Sequence, residues 1–282
     1  MNKNLIALWS VPIDSYLKPI TLQEIAWKKE LSSGRSSQYA HSRGYVREAL
    51  SNILGIPALE IPLKSPPGLP PGLPEDMGCV SFSHCRDILL IGWSSHNIGV
   101  DIERSDRSIE AKKILDGFFK NEKKSLNDLE GMQLNSEVLK LWVRKEAAIK
   151  WQKGSIFNDL SKWNFKLETN ILENKDYGYK LKSFFINYKN WYISVSSNTE
   201  KNNIYATVNS LGIAGLGAAT ARSFITRTPD FRGVEDRIYK MRLVIPASSA
   251  SSVGILTARA PRDAYVLVES SDSTGSDSDE VA

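Results

Sequence analysis

Cysteine, histidine and long apolar runs are scarce in this chain of 282 residues. It has two cysteines and three histidines. Two cysteines cannot build a disulfide framework, which favours a reducing compartment, and the spacing of Cys79, His84, Cys85 and His96 fits no common structural zinc site. The run of about 20 apolar residues that a membrane span requires is also missing. We therefore expect a cytoplasmic protein without a membrane segment.

An excess of charge of one sign is also missing. The 36 Lys and Arg residues face 32 Asp and Glu residues, which leaves a formal net charge of +4. This balance is too even to indicate nucleic-acid binding, although it suits an acidic protein or a phosphorylated small molecule as partner. The hydrophobic fraction of 41% is ordinary for a globular protein, and the length allows one large domain or two small ones.

Hydrophobic periodicity predicts an α+β chain. Apolar residues at helical spacing predict helices over 21–33, 36–56, 108–129 and 134–152. Short β-rich runs predict strands over 7–13, 79–84, 87–95, 97–104, 163–167, 180–188, 191–197 and 203–210. The strands over 79–104 follow one another closely and are therefore predicted to form a meander. The Pro/Gly-rich residues 65–74 predict a surface loop.

The composition changes abruptly near residue 209, after which Lys240 is the only lysine. We predict an N-terminal half over 1–97, a C-terminal half over 98–208 and a tail over 209–282. Residues 239–248 and 263–270 could form strands within this tail. Its last dozen residues are acidic and Ser-rich, a composition typical of disorder.

The stretch IGVDIER, residues 98–104, places Asp101 and Glu103 two positions apart on a predicted strand. Side chains at that spacing point to the same face, and two carboxylates held there repel one another. A solvated strand end explains such a pair, and so does a bound divalent cation. The pair alone does not decide between them.

Glu146 and Lys150 stand four residues apart on the predicted helix 134–152, so they project from one face. Such a spacing is common in surface ion pairs, and a single His84 at a strand end is common in structural sites. Together with Asp101 and Glu103, however, these residues offer three oxygen ligands suited to Mg²⁺ and two groups suited to phosphate. The combination indicates metal-assisted displacement at phosphorus.

The sequence resembles a known family at these residues. IGVDIER, followed about 40 residues later by LWVRKEAAIK, resembles the paired signature of the Sfp-type 4'-phosphopantetheinyl transferases. FSHC, FFKNEKKSL and SRGYVREALSNILGI resemble three further elements of that family. The resemblance covers residues 5–208 and has the look of a bacterial, cyanobacterial member.

The resemblance implies a fold of two similar α+β halves related by a pseudo-twofold axis, with coenzyme A bound between them. It implies that Asp101, Glu103 and Glu146 ligate Mg²⁺ on the pyrophosphate of coenzyme A. Glu146 would also help to deprotonate the serine of an apo acyl carrier protein or carrier domain. Lys150 would neutralise the charge that develops on the pyrophosphate. The products would be holo carrier protein and adenosine 3',5'-bisphosphate.

The resemblance also implies several residues that contact phosphate groups. His84 would contact the 3'-phosphate of coenzyme A, and the basic residues proposed for other phosphate contacts are Arg43, Lys28 and Arg35. One element departs from the family pattern, because Leu69 and Leu73 stand where many relatives carry a Gly-Lys-Pro lysine.

Two other functions remain open. A Mg²⁺-dependent nucleotide phosphohydrolase would use the same carboxylates without a carrier protein. An inactive module that binds coenzyme A or a carrier protein would keep the cleft without the reaction. The family resemblance implies a monomer, and neither nucleic acid nor a membrane is expected as a partner.

Overall fold

The computed structural model of the protein describes residues 5–197, 205–210, 239–243 and 266–270. The elements of the N-terminal part are β1 Leu5–Pro12, α1 Leu22–Lys29, α2 Ser33–Leu54, β2 Cys79–His84, β3 Ile88–Ser94 and β4 Ile98–Arg104. The elements that follow are α3 Ala111–Phe118, α4 Lys123–Leu126, α5 Gly131–Gln152, α6 Ile156–Asp159, β5 Trp163–Lys166, β6 Ile171–Asn174, β7 Tyr179–Tyr188, β8 Trp191–Ser197, β9 Tyr205–Ser210, β10 Tyr239–Leu243 and β11 Val266–Ser270.

The strands form two main sheets. The first sheet has the order β2-β3-β1-β9, in which β1 pairs antiparallel with β3 and parallel with β9. The second sheet has the order β4-β8-β7-β6-β5 and is antiparallel throughout. β10 and β11 form a separate antiparallel pair.

The two sheets face each other across a shared hydrophobic core. Ile6 and Leu8 of the first sheet pack there with Val100, Ile102 and Ile193 of the second. α2 covers the outer face of the first sheet, where Trp9 packs among its apolar side chains. On the outer side of the second sheet, α5 shares a core with β5, β6 and β7. Each sheet thus carries one 22-residue helix, which agrees with the predicted α+β fold.

Several predicted elements are confirmed with small shifts in their ends. The predicted helix 36–56 is α2, which ends one residue before Gly55, a residue in the left-handed conformation with φ of 73°. The predicted helix 21–33 is the shorter α1, whose first turn is closed by a capping box between Thr21 and Glu24. β10 and β11 lie in the two strands predicted for the tail.

The predicted meander over 79–104 is wrong. β2 and β3 form a hairpin, but β4 leaves it and pairs with β8 in the second sheet. The residues of β4 from Ile98 to Ile102 are all buried, because one face meets the shared core and the other meets α5. A strand buried on both faces cannot be the outer strand of a solvated meander.

Two further predictions need correction. The single helix predicted over 108–129 is broken into α3 and α4, because Phe119 leaves the helical conformation and is fully buried. The prediction also missed β6, whose sequence ILEN does not alternate between apolar and polar residues.

The predicted division at residues 97 and 208 stays a prediction, although β9 joins the sheet of the N-terminal half. The disorder predicted for the last dozen residues concerns a segment outside the described residues. Within the described parts of the chain, every helix is too short or too polar to cross a bilayer.

Candidate active site

The predicted site lies where the edges of the two sheets meet. β2 is one of the two edge strands of the first sheet, and β4 is one of the two edge strands of the second. Side chains rather than a backbone ladder bridge these edges: Ser81 Oγ accepts the Val100 N–H at 3.1 Å, and Ser83 Oγ donates to Asp101 Oδ1 at 2.6 Å. We call this line of contact between β2 and β4 the seam.

Gly99 allows α5 to lie directly on β4. A Cβ atom at this position would collide with the Ala147 carbonyl and the Trp151 backbone nitrogen. Asp101 follows two residues later, so its side chain points to the same side of the strand as this close contact. The glycine of IGVDIER therefore brings the Glu146 and Lys150 turn of the helix onto the strand carboxylates.

Lys150 is the centre of the cluster. Its Nζ lies 2.5 Å from Asp101 Oδ1, 2.8 Å from Ser83 Oγ and 3.6 Å from Glu146 Oε2. Asp101 is 1% exposed, whereas the side chain of Lys150 keeps 29% of its surface accessible. The ammonium group thus joins the strand and helix carboxylates and still reaches the solvent side of the site.

The carboxylate oxygens of the cluster differ in their partners. Asp101 Oδ1 accepts hydrogen bonds from Ser83 and Lys150. Asp101 Oδ2 is buried and has no hydrogen-bond partner among the described residues. Glu103 is paired with Arg107, which follows it by four residues. A buried carboxylate oxygen without a partner is costly and indicates a place for a further donor or a cation.

Burial and mutual repulsion shift the pKa values of the acids. Burial, followed by the charge of Asp101, raises the pKa of Glu146 to about 7. Burial also raises the pKa of Glu103, with a smaller contribution from Asp101. For Lys150, burial lowers the pKa, but the charges of Asp101 and Glu146 outweigh it and raise the value overall. Additional positive charge would therefore stabilise this group of acids.

The acids present suit Mg²⁺, a hard cation that takes carboxylate oxygens, and the unpartnered Asp101 Oδ2 is an available ligand atom. In the described chain, however, no three His, Cys, Asp or Glu side chains are gathered as a metal-binding group. Lys150 lies against Asp101 and Glu146, and Arg107 holds Glu103. Cationic side chains thus occupy part of the room between the acids.

His84 lies at the end of β2, next to Ser83, and is exposed. The protein around the imidazole lowers its pKa by partly removing it from water, and the charges of Lys150 and Arg43 lower it further, so these three residues share one electrostatic environment. The neutral imidazole is therefore favoured. An approaching phosphate would reverse this preference by adding negative charge.

Arg43 of α2 is mostly buried and supports the wall of the site. Its guanidinium donates from Nε to the Ser65 carbonyl at 3.2 Å and lies 4.2 Å from the Tyr39 ring centroid and 4.8 Å from that of Phe82. Burial lowers the pKa of Arg43 below its usual value. These contacts fix the guanidinium beside the loop that follows α2.

A cavity of about 220 Å³ opens beside the cluster. Arg43, Lys150 and Lys153 line it together with Phe82 and the loop 69–73. The loop is held by a pair of backbone hydrogen bonds between Lys64 and Gly72, of 2.8 and 3.0 Å. Three basic side chains beside an apolar wall suit a ligand that carries both phosphate and apolar groups.

The structure thus groups six of the eight predicted site residues: Arg43, His84, Asp101, Glu103, Glu146 and Lys150. It does not bring Lys28 and Arg35 to them. Lys28 lies in the last turn of α1, and Arg35 is exposed near the start of α2. Neither forms an ion pair with the acids of the site in the described chain.

Sequence reasoning missed Ser83 and Arg107, which hold Asp101 and Glu103, respectively. The alternation of serines in CVSFSH was a usable signal, since Ser81 and Ser83 point to one face of β2. The second signature stretch is also joined structurally to one of the further elements. Lys145, from WVRKEAAIK, is fully buried and pairs with Glu122, from FFKNEKKSL, at 2.9 Å.

The fold and site define an α+β protein in which acidic and basic groups meet at the junction of two sheets. Residues 97–206 match the family model of the 4'-phosphopantetheinyl transferase superfamily. The matched region contains Asp101, Glu103, Glu146 and Lys150. The match supports phosphopantetheine transfer, for which the family uses coenzyme A and a carrier protein. The comparison with curated proteins gave no match.

Proposed function

We propose that the protein is an Sfp-type 4'-phosphopantetheinyl transferase, which acts as a monomer in the cytoplasm. It moves the 4'-phosphopantetheine arm of coenzyme A to a serine of an apo acyl or peptidyl carrier protein in a Mg²⁺-dependent reaction. The other product is adenosine 3',5'-bisphosphate. The observation that supports this most directly is the contact of Lys150 with Asp101 and Glu146 inside the matched domain.

The acids Asp101, Glu103 and Glu146 would hold the Mg²⁺ ion. When bound, the ion would neutralise charge on the pyrophosphate oxygens. Asp101 supplies a carboxylate that is already oriented by Ser83, and Glu103 is supplied from two residues further along the same strand. The ion pair between Glu103 and Arg107 would have to open for this role.

Glu146 and Lys150 would handle the protons of the reaction. Burial and the neighbouring acids raise the pKa of Glu146 to about 7 in the metal-free protein, and a bound cation would lower it. At neutral pH the carboxylate would then be ionised and able to accept the proton of the attacking serine hydroxyl. The serine oxygen forms a bond to the β-phosphorus of coenzyme A while the bond from that phosphorus to the bridging oxygen breaks. Lys150, whose pKa is raised, remains protonated and stabilises the negative charge on the departing phosphate.

His84 and Arg43 would bind the remaining phosphate of coenzyme A. Both lie within the electrostatic environment of Lys150, and Arg43 lines the cavity with it. Leu69 and Leu73 stand in the loop where many relatives carry a lysine. In this chain the loop would therefore contribute less positive charge to the binding of coenzyme A. Lys28 and Arg35 are left out of the proposal, because neither contacts the site in the described chain.

Mass spectrometry of an apo acyl carrier protein tests the proposal. We expect the full-length chain, with coenzyme A and Mg²⁺, to add the mass of one phosphopantetheine to the carrier protein, and EDTA to abolish this gain. Glu146→Gln keeps the shape of the side chain and removes its charge, so it should slow the transfer by about 100-fold or more.

The two alternatives predict different products. Release of adenosine 3',5'-bisphosphate from coenzyme A without any carrier protein would indicate a phosphohydrolase. Binding of coenzyme A, without any change in the mass of apo carrier proteins from several pathways, would indicate an inactive binding module. Either result would overturn the proposed transfer.

A further inference from the structure

Ser83 forms hydrogen bonds with both Asp101 and Lys150. Its Oγ lies 2.6 Å from Asp101 Oδ1 and 2.8 Å from Lys150 Nζ. A protonated lysine can only donate and an ionised aspartate can only accept. The hydroxyl therefore accepts from Lys150 and donates to Asp101, so the direction of both hydrogen bonds is determined.

These bonds fix the rotation of the Asp101 carboxylate. Oδ1 accepts from Ser83 and Lys150, so it has two donors, while Oδ2 is buried and has none among the described residues. Rotating the carboxylate would break two charge-assisted hydrogen bonds, which are among the stronger kinds in proteins. The two oxygens consequently have different roles.

We propose that Ser83 is a positioning residue for the metal. It orients the Asp101 carboxylate so that Oδ1 accepts hydrogen bonds from Ser83 and Lys150, while Oδ2 remains available to bind Mg²⁺. This inference rests on the metal site of the proposed function. Ser83 belongs to the first sheet and Asp101 to the second. The contact across the seam therefore sets the position of a metal ligand relative to the opposite half of the protein.

Ser81 provides a matched control on the same strand. It is buried as deeply as Ser83, at 4% against 7% exposure, and it also bridges the seam. Its Oγ accepts the Val100 N–H, however, and no contact with a charged side chain is described for it. A purely structural role of the seam serines predicts equal effects at both positions, whereas the positioning role predicts an effect at Ser83 alone.

The experiment measures the binding of Mn²⁺, as a spectroscopic substitute for Mg²⁺, to the full-length protein by electron paramagnetic resonance. Removing a side chain that orients a metal ligand typically weakens metal binding about 10–100-fold. We therefore expect Ser83→Ala to weaken Mn²⁺ binding at least about 10-fold. Ser81→Ala should bind Mn²⁺ like the wild type, even where both variants lose a similar amount of urea resistance.

Ser83→Thr and Ser83→Val form a second pair, matched in shape and different only in the hydroxyl. Thr should retain Mn²⁺ binding and Val should lose it, which decides the question if the alanine variant does not fold. Equal Mn²⁺ binding by wild type, Ser83→Ala and Ser83→Val would overturn the inference. An equal loss in Ser81→Ala would overturn it as well.

The outcome can be separated from that of the proposed function. A wild-type protein that binds Mn²⁺ but modifies no carrier protein would overturn the transfer, while the contrast between Ser83 and Ser81 would still decide the positioning role. A wild-type protein that binds no Mn²⁺ would overturn the metal site and this inference together.

Discussion

Two lysines of α5, five residues apart, meet their acidic partners in opposite settings. Lys145 is 0% exposed, pairs with Glu122 at 2.9 Å and lies 4.1 Å from the Phe119 ring centroid. Lys150 is 29% exposed and contacts two carboxylates and the Ser83 hydroxyl. Lys145 is enclosed by protein on all sides, whereas Lys150 lines a cavity.

The pKa values of the two lysines are shifted in opposite directions. Burial dominates at Lys145 and lowers its pKa, although Glu122 acts in the opposite direction. At Lys150 the two carboxylates outweigh burial and raise the pKa. Glu122 also accepts the Phe165 N–H at 2.8 Å, so the first pair connects α5 to strand β5. One helical signature thus contains a structural lysine and, by our proposal, a catalytic one.

The largest effect on stability is expected from breaking the enclosed pair. Glu122→Ala would leave the Lys145 ammonium buried without a counter-charge, which costs about 3–5 kcal/mol in comparable buried pairs. Urea unfolding followed by tryptophan fluorescence measures this loss. An unfolding free energy within about 1 kcal/mol of the wild type would show that water reaches Lys145.

A double variant separates the charge from the packing. Glu122→Leu combined with Lys145→Met removes both charges and keeps apolar volume, so it should recover most of the stability lost in Glu122→Ala. Failure to recover it would place the effect in the hydrogen bond to the Phe165 N–H instead.

Removing Lys150 should reduce the rate of the reaction more than the stability of the protein. We expect Lys150→Ala to slow the transfer of phosphopantetheine by about 100-fold or more, because the charge on the departing phosphate loses its nearest cation. Its effect on the unfolding free energy should be smaller than that of Glu122→Ala, since water can reach this site. Lys140→Ala, a lysine on the same helix that pairs with Glu137, is the control and should leave the transfer rate unchanged.

The smallest expected effect is the pH dependence of stability of the metal-free protein. In the folded protein the pKa of Glu146 is about 7, above its ordinary value of 4.5, so the folded state holds a proton that the unfolded chain releases. Stability is therefore highest below about pH 4.5 for this group and falls as the pH rises through about 7, by about 1–3 kcal/mol.

Urea midpoints at about pH 5 and about pH 7.5, measured with EDTA, test this dependence against Glu146→Gln, which should flatten it. Equal slopes in the two proteins would assign the pH effect to another group. Glu103 is the next acid to test, because burial raises its pKa in the same direction.

The sequence predicted the parts of the site that depend on local spacing. Asp101 and Glu103 share a strand face, and Glu146 and Lys150 share a helix face, because the periods of strand and helix dictate it. The roles of Ser83 and Arg107 were missed, since they depend on which strand edges meet and on side-chain pairing. The phosphate contacts predicted for Lys28 and Arg35 stay predictions, since they depend on how α1 and the start of α2 pack, for which the sequence has no local signal.

The fold shows the same limit. The long helices α2 and α5 were found from periodicity, and Gly55 marked the end of the first. The pairing of β4 with β8 joins residues about 90 positions apart and has no local signal. Because β2, β3 and β4 follow one another closely in sequence, they were predicted to form a meander, but β4 pairs with β8 instead.

The parallel pairing of β1 with β9 has a consequence for how the protein is made. Among the described strands, Leu5–Pro12 is synthesised first, and it acquires its second neighbour only when Tyr205–Ser210 has been synthesised. At bacterial and eukaryotic elongation rates this delay is roughly 10–40 s. During that time one edge of an apolar strand stays open to pairing with other nascent chains. Synthesis of the first sheet thus begins early and is completed late, and this interval is when the chain most needs protection from aggregation.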